Sequence, residues 1–160
     1  MRLLRLSLPV AVLVLLASCS SEQDSGYIRA TIDGKPMQFR VEANAAVGGN
    51  DGRIQHVVFR ARSAKDHGKP AMSFDVDKED GDIGPGSYTA YGDAAGRYYW
   101  QLPNGTYMHK NGPDDPFQIT FTRIDRERVE GRFSGQLSHI DPDFTIRVTQ
   151  GAFSVPVVDN

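Results

Sequence analysis

From Tyr27 onward, apolar residues recur at every second position and no stretch of about ten or more residues keeps a helical period, so the pattern predicts an all-β fold. In YIRATIDGKPMQFRVE, Ile28, Ala30 and Ile32 share one face and Tyr27, Arg29 and Thr31 the other; Met37, Phe39 and Val41 repeat the alternation after the turn. Asp33-Gly34 supplies the positive backbone angles a tight hairpin needs. The same alternation predicts strands over Ile54 to Arg62, with Val57, Phe59 and Ala61 inward, and over Ala71 to Asp77, with Met72, Phe74 and Val76 inward. A short strand follows near Ser87 to Tyr91. Arg97 to Gln101 and Thr106 to Lys110 form a pair joined through Pro103-Asn104-Gly105.

The plainest hairpin is FQITFTRIDRERVEGRFSGQL. Phe117, Ile119 and Phe121 face one way, Asp125 to Glu127 turn the chain, and Val129, Phe133 and Leu137 return on the same face with Glu130, Arg132 and Ser134 outward. In FTIRVTQGAFSVPVV the parity changes: Phe144, Ile146 and Val148 are even, while Phe153, Val155 and Val157 are odd. One extra residue at Gln150-Gly151 restores the inward face, so the pattern predicts a single bent strand with a β-bulge there. Pro156 then belongs at an edge or where no ladder donor is needed. About 8–10 short strands predict an antiparallel β-sandwich or a flattened barrel, with Gly48 to Arg53 and Ser63 to Lys69 as loops.

The beginning of the chain follows a different pattern. Arg2 and Arg5 precede an apolar run from Leu6 to Ala17 broken only by Ser7 and Pro9, the layout of a secretory signal. The run is shorter than the roughly 20 residues a membrane-spanning helix needs. Leu16, Ala17, Ser18 and Cys19 follow, and here the chain resembles the lipobox of bacterial lipoproteins. The resemblance implies cleavage before Cys19, a diacylglycerol in thioether linkage to its sulfur, and acylation of the new amino terminus. Two or three acyl chains, at about 0.8 kcal/mol per buried methylene, hold a protein on a membrane where one would not. Ser20 stands where lipoproteins kept in the inner membrane carry Asp, so the resemblance implies the outer membrane, facing the periplasm.

The segments IRATIDGKPMQF, GPGSYTA, VEGRFSGQL and VTQGAFSVPVV resemble a group of small bacterial lipoproteins of the β-sandwich kind. That resemblance rests on turn and core residues; it implies the fold and brings no catalytic residues. The expected organisation is a signal peptide over 1–18, a lipidated cysteine with a flexible tether over 19–26, and one β domain over 27–160.

Composition narrows the function. Cys19 is the one cysteine, so the exported domain has no pair for a disulfide. The net charge of −2 becomes about −4 once residues 1–18, which carry two arginines and no acid, are removed. A mildly acidic domain without a clustered basic run is not the profile of a nucleic-acid binder.

Two segments carry candidate chemistry. In DVDKEDGDIGPG, Asp75, Asp77, Glu79, Asp80 and Asp82 crowd around one lysine, and clustered carboxylates are what calcium needs. The spacing departs from an EF-hand loop, with Asp80 at the sixth position and Gly86 at the twelfth, and a solvated acidic turn is the plainer reading. In RYYW, Tyr98 and Trp100 share a face and, with Tyr107, Tyr88 or Tyr91, form a candidate platform for sugar rings; closure of the core at a sheet corner is the alternative. His56, His67, His109 and His139 are scattered without metal-ligand spacing, and no Gly-x-Ser-x-Gly elbow occurs.

The sequence thus points to a non-catalytic, membrane-anchored envelope lipoprotein whose domain binds or scaffolds an envelope component, a protein first. A small-ligand module for glycan or calcium, and an enzyme with a dispersed site, are the alternatives.

Overall fold

The computed structural model describes residues 25–65, 70–89, 95–101, 107–109, 117–138 and 145–158, the segments 95–101 and 107–109 as backbone only. Its strands are β1 (Tyr27–Ile32), β2 (Lys35–Phe39), β3 (Val41–Gly48), β4 (His56–Arg62), β5 (Ala71–Asp77), β6 (Gly86–Thr89), β7 (Ala95–Gln101), β8 (Tyr107–His109), β9 (Gln118–Ile124), β10 (Arg128–Ser138) and β11 (Thr145–Pro156). The described residues are all-β, in two antiparallel layers that do not close into a barrel, which settles the choice between sandwich and barrel. One layer is the six-stranded sheet β2-β1-β11-β10-β9-β6. The other is built on β3-β4-β5 and continues through β7 to β8. Single register pairs link the layers at two corners, Ser138 with His109 and Ala45 with Val157.

Between the layers lies an aromatic core. Phe59 of β4 stacks on Phe74 of β5 at 4.6 Å and on Phe153 of β11 at 4.4 Å, so its ring spans both layers. Phe133 approaches Phe74 at 4.7 Å, and Phe121 meets Phe153 edge-on at 5.9 Å. Two glycines admit these rings. A Cβ on Gly131 would lie 2.1 Å from the Thr120 carbonyl oxygen and 2.6 Å from Phe153 Cζ, and one on Gly151 would lie 2.4 Å from the Phe133 carbonyl oxygen. Both clashes involve backbone, which no side-chain rotation relieves.

Local sequence accounts for most of the turns. Asp33 and Gly34 adopt φ of 48° and 77°, and the two-residue loop pairs Ile32 with Lys35. Asp33 also binds β11, its amide donating to the Arg147 carbonyl at 2.9 Å and its carboxylate accepting from the Arg147 amide at 2.7 Å. At the β9–β10 turn, Asp125 Oδ1 accepts from the Glu127 and Arg128 amides at 2.8 Å each. Arg123 donates to Asp125 Oδ2 at 2.6 Å and, with those two amides, holds the Asp125 carboxyl below its usual range.

The bulge in β11 is present. Between Arg29 and Thr31 the partner residues in β11 run from Ala152 to Thr149, and between Phe133 and Gly135 they run from Gly151 to Val148, so β11 carries an extra residue against both neighbours. Gln150 takes it up at φ 52°. Pro156 sits where predicted: Val157 donates to Glu127 on the β10 side, so the Pro156 nitrogen faces the other side, past the last β1 pair of Tyr27 with Ser154.

One strand departs from the sequence expectation. The alternation Met37, Phe39, Val41 reads as a single strand, but the chain breaks at Arg40 and Val41 begins β3 in the other layer. Arg40 N donates to the Arg62 carbonyl at 3.0 Å, and Glu42 at φ 52° completes the corner with a bulge against β4. Strands that change layers do so through such bulges. With β3 separate, the described strands number eleven, one more than the upper expectation.

Candidate functional site

His56 opens β4 and Asp77 closes β5, and the antiparallel register pairs them directly, with Val58 opposite Asp75. Because Val57, Phe59, Phe74 and Val76 point into the core, alternation sends His56, Asp75 and Asp77 to the outer face. Ligand-capable atoms of the three all lie within 4.8 Å of one another. His56 Nδ1 is hydrogen-bonded to Asp77 Oδ1 and stands 3.7 Å from Asp75 Oδ1. The Asp75 side chain is the most sheltered at 21% exposed, against 43% for His56 and 49% for Asp77.

The acidic segment, a candidate calcium loop with a solvated turn as its plainer reading, is divided. Asp75 and Asp77 join His56, whereas Asp82 accepts the Ile54 amide at 2.6 Å and so pins the β5–β6 connection to the chain before β4. Lys78 N donates to the Gln55 carbonyl at 2.9 Å and Ile83 N to the Ile54 carbonyl at 2.6 Å, which seats the Ile83 side chain in the core. Glu79 and Asp80 are exposed and, among the described residues, join no convergent set of ligands.

A histidine nitrogen with two carboxylate oxygens makes a mixed donor set. Zinc and similar first-row ions accept such ligands with as few as four in total, whereas calcium requires six to eight oxygens. The triad therefore suits a zinc-type ion better than the calcium its acids suggest. Without an ion, the His56–Asp77 hydrogen bond already satisfies one ring nitrogen.

In the aromatic run, the backbone register pairs Tyr98 with Phe74, Trp100 with Met72 and Gln101 with Tyr107. The side chains of Tyr98, Trp100 and Tyr107 lie outside the described residues, as do Tyr91, His67 and His139 altogether. Tyr88 is committed elsewhere, its hydroxyl donating to the Gly84 carbonyl at 2.9 Å and its ring packed 5.6 Å from Phe121. Leu16, Ala17, Ser18 and Cys19 also lie outside the described residues, and among those described no helix is long and apolar enough to cross a membrane. Set beside known proteins, the chain matches no family model, no curated protein and no solved structure.

Proposed function

We propose that the chain is a lipid-anchored envelope protein of the outer membrane, facing the periplasm, whose β-sandwich domain binds or scaffolds an envelope protein without catalysing a reaction. The observation that carries this reading is the order of features along the amino-terminal segment: Arg2 and Arg5, the apolar run, then Leu16-Ala17-Ser18-Cys19 and a short polar stretch. That stretch leads to Tyr27, where β1 begins. Seven residues from Ser20 to Gly26 reach at most roughly 25 Å. An anchored domain would therefore work on partners close to its membrane, through its outer faces.

Crosslinking of intact cells that carry the tagged full chain tests the binding role. One dominant envelope protein should be captured, and it should disappear in Cys19→Ser. Capture of no reproducible neighbour would sink the protein-binding reading.

A second reading, a small-ligand module, is favoured by the convergence of His56, Asp75 and Asp77. Zinc at about 100 times its Kd stabilises a folded protein by roughly 2.7 kcal/mol when it binds only that state. Zinc should accordingly raise the Tm of the full chain in detergent, calcium should not, and His56→Ala should abolish the shift. An equal shift in His56→Ala would place the ion elsewhere.

A further inference from the structure

The outer face of the six-stranded layer concentrates positive charge in a chain whose net charge is −2. On its central strands β1, β11 and β10, the outward positions carry Arg29, Arg128, Arg132 and Arg147 against Glu130 alone. Glu130 is engaged, accepting from Ser154 Oγ at 3.1 Å and lying 4.0 Å from Arg128 Nε. Arg29 and Arg132 are exposed and, among the described residues, neither has a carboxylate partner.

The register sets these two arginines on one line. Gln38 pairs with Arg29, Arg29 with Ala152, Ala152 with Arg132, Arg132 with Thr120, and Thr120 with Ser87. This row crosses all six strands, roughly 24 Å at the usual strand spacing, and puts Arg29 and Arg132 about 10 Å apart with only the methyl of Ala152 between them. Two guanidinium groups of that reach can close on one anion above the alanine, each offering paired donors that match carboxylate, sulfate or phosphate.

Concavity follows the same line. A groove of about 460 Å³ is lined by Arg29, Thr31 and Gln38, and a second of about 250 Å³ by Gln118, Thr120, Arg132 and Ser134. Gln150 borders both, placed between them by the left-handed bulge of β11 and receiving the Thr31 hydroxyl at 3.3 Å. Amides, hydroxyls and guanidiniums line both, joined by Pro36 and Met37 in the first and Phe133 in the second, and neither holds an acid.

We propose that this face binds an anionic polysaccharide, its carboxylate or sulfate groups held by Arg29 and Arg132 across Ala152 and its hydroxyls met by the glutamines, the threonines and Ser134 of the two grooves. Two neighbouring concavities that share Gln150 and mix polar with apolar lining fit a sugar chain, whose rings offer hydroxyl edges and apolar faces. A membrane surface fits less well, because interfacial binding uses exposed apolar side chains and the exposed large hydrophobic among the described residues is Val158, which borders a groove of β3 and β4 instead. The inference rests on the domain being a binding module and does not require the lipid.

The test uses the full chain in non-ionic detergent, immobilised polygalacturonate and heparin as carboxylated and sulfated probes, dextran as the neutral one, and phosphatidylglycerol vesicles. The chain should bind at least one anionic glycan, less as salt rises, and ignore dextran. The exposed double substitution Arg29→Ala/Arg132→Ala should weaken binding at least ten-fold with unchanged circular dichroism, while Arg60→Ala on the other layer has no effect. Equal losses in Arg60→Ala, no loss in the double variant, or binding to the vesicles but to neither glycan would overturn the proposal. If crosslinking still captures a protein neighbour after such a result, the binding-module reading survives and only the glycan face is lost.

Discussion

Phe59→Ala should lower the unfolding free energy by about 3–5 kcal/mol. That is a large share of the roughly 5–15 kcal/mol by which domains are stable. The ring is fully buried, and its partners come from both layers: Phe74 at an interplanar angle of 21°, Phe153 at 28°, and Phe121 edge-on at 6.2 Å. Removing it opens a cavity whose walls stand on paired strands, so little collapse can offset the loss. Gly131 and Gly151 sharpen the effect, since their missing Cβ atoms are what let Phe153 and Phe133 lie against the backbone, and those rings cannot shift far to fill the space. Urea denaturation of the full chain measures the difference. Val58→Ala, on the outward side of the same strand, should stay within about 0.5 kcal/mol. A Phe59→Ala loss below about 1 kcal/mol would mean that the layers do not meet through this ring.

Cys19→Ser should move the protein almost entirely from the membrane to the soluble fraction and abolish labelling by palmitate. A serine hydroxyl is a far poorer nucleophile than a thiol toward a lipid donor, so under the proposed anchoring one atom would decide whether the chain is acylated. Each acyl chain contributes about 0.8 kcal/mol per buried methylene, which no polar tether can replace. The substitution leaves Arg2, Arg5 and the apolar run intact. Export is therefore expected to continue. Cys19→Ser that stays in the membrane fraction and still takes up label would exclude the thiol as the attachment point.

How much of this was legible in the sequence depends on how local each cause is. The β1–β2 hairpin was legible because Asp33-Gly34 carries its own turn geometry, and the β11 bulge because one extra residue inverts the parity of every apolar position after it. The strand β3 was not, since Ala43, Ala45 and Ala46 give a weak hydrophobic signal and nothing local marks Arg40 as a corner between layers. Acid crowding at residues 75–82 was legible as composition. Its division was not, because Asp82 is drawn to the Ile54 amide and His56 to Asp77 by register across β4 and β5. The row from Gln38 to Ser87 is the extreme case: six strands contribute one residue each, and only the sheet brings them together.

The most direct measurement is mass spectrometry of the amino-terminal peptide of the protein extracted from cell membranes. A peptide that begins at Cys19 and carries diacylglycerol on its sulfur is the predicted result, and it would fix the domain to the membrane by the short tether that precedes β1. A peptide that retains residues 1–18, or one that begins elsewhere with an unmodified thiol, would contradict it.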